Sequence, residues 1–368
     1  MDEKKMILKM VEDGKITAEE GVKLLEALGE EKPQPQQEEP KTTKGELSTR
    51  VDWDSDEFQK QKTSYRQSSG TSLFTSFIES AIQKIKDFDL DFNFGTYVEV
   101  SHIFHHKNLQ AHSLDFSVEN GSITIVPWEE NDVRIECQAK VYKALDTEEA
   151  RTILLREAVF DPEGSTLRFY TKVKNIKLQA TCYVPKKQYE TFKLYSFNGH
   201  VKVTDTKAIS VETKVVNGSI KLSNTKCERL FAETVSGPID IKFVSADKAE
   251  VKTVNGAIDI DGTVTDIDIE TVNGALFYNL EKVEKACYVE AKATTGTVTI
   301  TLPEDAKIDG KLKTNVGGFS CDLAGFEITE EKKDFVQKSL GFTSNKHQPF
   351  GVKLFGETNT GSITVKHR

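Results

Sequence analysis

Between Val211 and Thr301 apolar and polar residues alternate, and a short phrase centred on glycine interrupts the alternation at regular intervals. It reads Val-Asn-Gly-Ser-Ile at 216–220, Val-Ser-Gly-Pro-Ile at 235–239, Val-Asn-Gly-Ala-Ile at 254–258 and Val-Asn-Gly-Ala-Leu at 272–276. A looser copy, Thr-Thr-Gly-Thr-Val, follows at 294–298. The glycines are 218, 237, 256, 274 and 296, so successive intervals are 19, 19, 18 and 22 residues. A constant period of that size predicts one supersecondary unit per copy and a stacked architecture.

Aligning the copies on glycine resolves the unit. Seven, five and three residues before it stand small or β-branched side chains: Val211, Thr213 and Val215 in the first copy, Ile267, Ile269 and Thr271 in the fourth. Two and four residues after it come Ile220/Leu222, Ile239/Ile241, Ile258/Ile260, Leu276/Tyr278 and Val298/Ile300. Each copy is thus two short half-buried strands joined at a glycine turn. Asn-Gly between strands is also the strongest local signal for an antiparallel hairpin. The position four before the glycine separates the two: it reads Lys214, Glu233, Lys252, Glu270, Lys292. Parallel neighbours in register select such alternation, because like charges side by side repel. The prediction is a mainly β chain built as a parallel β-solenoid (β-helix) of ~19-residue rungs.

Other periods flank this region. Residues 1–30 read as a small helical hairpin, with Ile7, Met10 and Val11 on one stripe, Val22, Leu25 and Leu28 on the other, and a Thr17–Glu20 capping box between them. Two helices this short bury little, so those six side chains are predicted to dock on a protein partner or on a second copy. Residues 31–70, with Pro33, Pro35 and Pro40 among Gln, Glu, Ser and Thr, predict a disordered linker. Residues 71–95 hold an amphipathic helix and a first strand. The helix carries Phe74, Phe77, Ile78, Ile82 and Ile85, and is expected to cap the open end of the stack, with a membrane-surface role as the second reading. Residues 96–368 form the solenoid, with a helical insertion near 147–159, further phrase copies at 118–125 and 197–201, and an excursion at 326–350. The copies at 315–318 and 360–365 are expected to extend the stack to its end.

A net charge of −9 argues against general affinity for nucleic acid. Five widely spaced cysteines without a C-x-x-C pair suit a reducing compartment. No apolar run approaches 18 residues, and the charged N-terminus resembles no signal peptide. The expectation is a cytoplasmic protein, with a peripheral place at the membrane or cell surface by a non-standard route as the alternative. His102, His105, His106 and His112 cluster without a carboxylate or cysteine between them to complete a metal site. Asp240, Asp259, Asp261, Asp266 and Asp268 fall on consecutive rungs, and the first three are the alternative for calcium or sugar binding. Nucleophile elbows, P-loops and dinucleotide fingerprints do not occur, so neither an enzyme nor a cofactor is expected.

The segment Ile7-Leu-Lys-Met-Val-Glu-Asp-Gly-Lys-Ile-Thr-Ala-Glu-Glu, the repeated Thr-Val-Asn-Gly-Ala-Ile coil and Lys84–Gly95 together resemble the LiaX/YvlB-type proteins of Gram-positive bacteria. The resemblance spans nearly all of the chain outside the linker. It implies an adhesin-like β-helix and a non-enzymatic role in the envelope-stress response to antimicrobial peptides or cell-wall antibiotics. That role would act through protein–protein or envelope contacts, and the resemblance supplies no catalytic residues.

Overall fold

In the computed structural model, residues 75–83, 95–334 and 337–368 are described. The predicted hairpin and linker, and Phe74 and Ile85 of the predicted helix, lie outside them. A short helix, α1, covers 75–83. The coil then begins with β1 (Tyr97–His106), β2 (Ser113–Trp128) and β3 (Val133–Tyr142), followed by α2 (Thr147–Glu157). Asp146 caps α2: its Oδ1 accepts from the Glu149 N–H at 2.9 Å, as an orphan helix donor requires. Next come β4 (Ala158–Asp161), β5 (Thr166–Thr171), β6 (Ile176–Pro185), β7 (Gln188–Asn198) and β8 (Val201–Thr204).

The repeat proper is β9 (Lys207–Asn217), β10 (Ile220–Ser223), β11 (Lys226–Ser236), β12 (Ile239–Asn255), β13 (Ile258–Asn273), β14 (Leu276–Leu280), β15 (Cys287–Thr295) and β16 (Val298–Leu302). The chain closes with β17 (Lys307–Val316), β18 (Phe319–Asp322), β19 (Glu327–Lys333), β20 (Lys338–Ser344), β21 (Gly351–Thr360) and β22 (Ile363–His367).

Within the repeat every ladder is parallel and steps one copy at a time, so that Val211, Leu230, Ala249, Ile267 and Val289 are register neighbours. This is the solenoid, and the Asn-Gly phrase is its corner rather than a hairpin turn. The columns seven, five and three before the glycine are buried, as are those two and four after it. One continuous apolar core therefore runs the length of the coil. The corners stack as closely as the chain permits. A Cβ on Gly237 would sit 2.1 Å from the Gly218 carbonyl oxygen, and one on Gly256 2.0 Å from that of Gly237. The buried threonines three before the glycine close the same corners: Thr234 Oγ1 donates to the Gly218 carbonyl at 3.1 Å and Thr253 Oγ1 to that of Gly237 at 3.2 Å.

Both ends depart from sequence order. The strands β21 and β22 pair in parallel with β15 and β16 on one side and with β17 and β18 on the other. The last copy thus lies inside the stack, and does not extend its end as expected. At the other end β2 lies between β5/β6 and β7/β8. The stack is closed by antiparallel strands: β3 on β6 and β1 on β3, with Ala150 and Leu154 of α2 buried, and at the far end β20 on β17 and β19 on β20. Strand β19 is exposed along its whole length and strongly charged, which suits an edge that must not recruit another strand.

With the ends closed in this way, α1 is not an end cap. Phe77 and Ala81 are buried against Phe197 of β7 and Val216 of β9, with Ile78, Val235 and Val254 alongside. The helix lies on the side wall, because the outward position two before each glycine is apolar there. Ile82 is 40% exposed. The apolar residues Phe77 and Ala81 face the sheet, which removes them from the membrane-surface reading.

Candidate functional site

The outer wall of the long strands carries two parallel columns. Two residues before the glycines run Phe197, Val216, Val235 and Val254, the strip under α1. Four before run the charges. Register places Lys214 beside Glu233, Glu233 beside Lys252, Lys252 beside Glu270 and Glu270 beside Lys292. The column then continues through Glu357 to Lys313. In chain order Lys292 and Lys313 would be neighbours of like sign. The inserted β21 puts Glu357 between them, so the alternation holds over seven rungs.

Part of this ladder is buried. Glu233 is 0% exposed and Lys252 2% exposed. The Lys252 ammonium is 2.8 Å from Glu250, 3.8 Å from Glu270 and 3.9 Å from Asp268. Burial works against its charge, but the Glu250 hydrogen bond and these carboxylates hold its pKa above the ordinary lysine value. Glu233 is less well served. Its nearest cation is Lys214 Nζ at 3.8 Å, and neither carboxylate oxygen has a hydrogen-bond partner. Burial pushes its pKa up to about 7 against the opposing pull of Lys214. The Lys214 ammonium also lies 4.9 Å from the Phe231 ring centroid and 5.5 Å from that of Phe77, which ties the ladder to α1.

A pH dependence follows. The folded-state value lies above the roughly 4.3 of an unfolded glutamate, so the native state keeps a proton that the unfolded chain has lost. This contribution to stability is complete below about pH 4 and is lost as pH rises through about 7. Glu233→Gln is expected to raise stability by about 1 kcal/mol at pH 5 and by about 3–4 kcal/mol at pH 8. Thermal unfolding of both proteins across that range checks this; parallel curves would mean that Glu233 does not titrate in the window.

The second wall, formed by the short strands, holds the aspartates. Asp240, Asp259 and Asp261 do converge, on the Lys242 ammonium, at 3.9, 2.7 and 2.9 Å. Desolvation opposes the Lys242 charge, but hydrogen bonds to Asp259 and Asp261 raise its pKa overall. The cation at the centre of this trio is thus a side chain of the same wall. Asp266 and Asp268 face elsewhere, on the long-strand part of β13, with Asp268 near Lys252. The five aspartates therefore do not make one column.

The histidines are also dispersed in role. His105 Nε2 lies 3.1 Å from Asp132 Oδ2, whose partner oxygen accepts from the Asn108 N–H. That backbone hydrogen bond, more than His105, holds the Asp132 carboxyl below its usual range. His102 packs edge-on to Phe104, and burial, then the Arg151 charge, lowers its pKa. Among the described residues no three His, Cys, Asp or Glu side chains are grouped to hold a metal ion. The five cysteines are free thiols, and burial pushes Cys137 and Cys227 up to about 12. Among the described residues no helix is long and apolar enough to cross a membrane. The docking candidates Ile7, Met10, Val11, Val22, Leu25 and Leu28 lie outside the described residues.

The sequence reading missed the valine strip, whose signal was present as the Val of every Val-Asn-Gly phrase. It also missed the burial of Glu233, which depends on what covers the wall.

Residues 111–353 match the Toastrack DUF4097 family, and residues 2–33 match the SHOCT-like domain. The chain is 44% identical to YvlB of Bacillus subtilis, over 99% of its own length and 98% of that protein's. Solved structures with some likeness include a candidate lipid-binding protein from Parabacteroides distasonis, at 11% identity and a TM-score of 0.41, covering 72% of this chain and 96% of that one. Another is a candidate adhesin from Bacteroides fragilis, at 9% identity and a TM-score of 0.35, covering 72% and 97%.

Proposed function

This chain belongs to the Toastrack DUF4097 family, among the YvlB-type proteins, and from that premise we propose that it is a non-enzymatic, adhesin-like interaction protein of the bacterial envelope-stress response. The observation that carries this reading is α1 on the side wall. A coil held by in-register ladders is rigid, and its wall presents Phe197, Val216, Val235 and Val254 as a strip that seats an amphipathic helix. Helix α1 fills the strip in the resting chain; a partner helix of similar pattern takes its place under stress. The N-terminal hairpin residues Ile7, Met10, Val11, Val22, Leu25 and Leu28 supply a second contact, with a protein partner or another copy. In the rival reading, a calcium- or sugar-binding solenoid, Asp240, Asp259 and Asp261 would first have to release Lys242.

The test is crosslinking in cells, with and without an envelope-active peptide, followed by fractionation. The peptide is expected to change the crosslinked partners or the location of the chain. Phe77→Glu, which unseats α1, should give the stressed pattern without peptide. Identical partners and location in all three conditions would sink the stress-response reading.

A further inference from the structure

On the long-strand wall the charges four before each glycine are matched across rungs. The ladder of Lys214, Glu233, Lys252, Glu270 and Lys292 alternates, and Lys242 sits among carboxylates. Like charges fall in register elsewhere, as at Arg229 and Lys248 or Asp240 and Asp259, but one corner gathers two pairs of lysines. Lys207 of β9 is the direct register neighbour of Lys226 of β11, and Lys202 of β8 that of Lys221 of β10. Neighbouring strands are about 4.8 Å apart, so each pair sets two ammonium-bearing side chains side by side. Among the described residues none of these four lysines has a carboxylate within ion-pair distance, whereas Lys214, Lys252 and Lys292 on the next wall all do. Like charges in register cost stability. In a chain of net charge −9 they are not the overflow of a basic composition.

Between the lysines lies a cleft of about 320 Å³, with Lys186, Lys207 and Lys226 on its walls beside the turn residues Asp205 and Asn224. Its size is that of a small-ligand site. The Asp205 carboxylate is engaged, accepting from Asn224 Nδ2 at 2.6 Å. Lys186 reaches Glu129 at 3.0 Å, but Glu129 is 84% exposed and such a rim pair is worth little. The cleft therefore offers the ammonium groups of Lys186, Lys207 and Lys226 against the single negative charge of Asp205.

We propose that this corner is a binding site for a phosphate group carried on a small polyol or headgroup. Its donors are ammonium groups, which bind a phosphate as point charges without requiring a bidentate fork. Lys202 and Lys221 lie on the adjoining short strands outside the cleft, and Lys221 has Asp240 as its other register neighbour. The proposal is independent of the helix-seating role of the other wall.

The test uses the full chain and two probes at low ionic strength: glycerol 3-phosphate, followed by calorimetry, and vesicles of phosphatidylcholine with or without phosphatidylglycerol, followed by flotation. Wild type is expected to bind at least one probe, with affinity falling as salt rises. The double variant Lys207→Gln/Lys226→Gln should lose about tenfold or more in affinity, while Lys248→Gln, exposed on β12, should not. Binding to glycerol 3-phosphate alone identifies a soluble ligand; binding only to phosphatidylglycerol vesicles identifies a headgroup. Without any ligand the double variant should melt at or above the wild-type temperature, since it relieves repulsion. Failure of wild type to bind either probe, equal binding by the double variant, or a lower melting temperature for that variant would each overturn the proposal.

Discussion

Ending the chain at Phe350 is expected to abolish the cooperative unfolding transition, although it removes only the final strand pair. In a simple stack the last copy lies at an end, and its loss shortens the coil by one rung at modest cost. Here β21 and β22 lie between two other rungs. Their removal leaves β15 and β16 facing β17 and β18 across a gap one strand wide, with the ladder groups on both sides unpaired in the interior. It also takes Val352, Leu354, Ile363 and Val365 out of the core, each worth about 1.5–3 kcal/mol of burial. The gap cannot close without penalty, because Lys292 and Lys313 would then meet in register where Glu357 now separates them. Circular dichroism melting and limited proteolysis read the outcome. Replacing 327–344, the terminal β19–β20 hairpin, by a short Gly-Ser link should lower the melting temperature yet keep a cooperative transition. A truncated chain that melted cooperatively within a few degrees of the intact one would show that the inserted rung is dispensable.

Much of this architecture is legible in the letters, and the reason is the constant period. Once the glycines are aligned, the columns at Val211, Thr213 and Val215 declare themselves inside, because every rung repeats the same choice of size and polarity. Register is legible too, through the sign alternation from Lys214 to Lys292. The order of the rungs is hidden because a parallel partner can come from any distance along the chain. Yet the charge column carried a clue, since Lys313 cannot follow Lys292 in an alternating ladder and Glu357 can. The place of α1 was misread for a different reason. An amphipathic helix states that it covers something apolar, not whether that is the end of a stack or its side. Antiparallel strands β1, β3, β19 and β20 already close the ends, and the strip at Phe197, Val216, Val235 and Val254 took the helix instead. The nearness of Asp240, Asp259 and Asp261 is legible from their place on consecutive rungs, whereas Lys242, two residues beyond Asp240 and at the centre of the trio, carries no such signal.

Gly237→Ala is expected to cost about 4 kcal/mol or more, a large fall for a single methyl group. The added Cβ would lie 2.1 Å from the Gly218 carbonyl oxygen and 2.6 Å from its carbon, which are backbone atoms with no rotamer to escape into. Backbone φ at Gly237 is +149°, a conformation that side-chain-bearing residues rarely adopt. Relief requires the rungs to separate. That would strain the bonds from Gly218 N to Ser236 O and from Gly237 N to Asn255 O, each 2.8 Å, and withdraw the Gly218 carbonyl from Thr234 Oγ1. Two companion variants isolate the cause. Thr253→Val removes the hydroxyl that donates to the Gly237 carbonyl but adds no volume at the corner, and should cost only about 1 kcal/mol. Gly318→Ala, where a Cβ meets nothing within 4 Å, should be neutral or mildly stabilising. Chemical denaturation of the three variants gives the ranking. If Gly237→Ala proved no worse than Gly318→Ala, close stacking of the corners would not be what fixes glycine in the repeat.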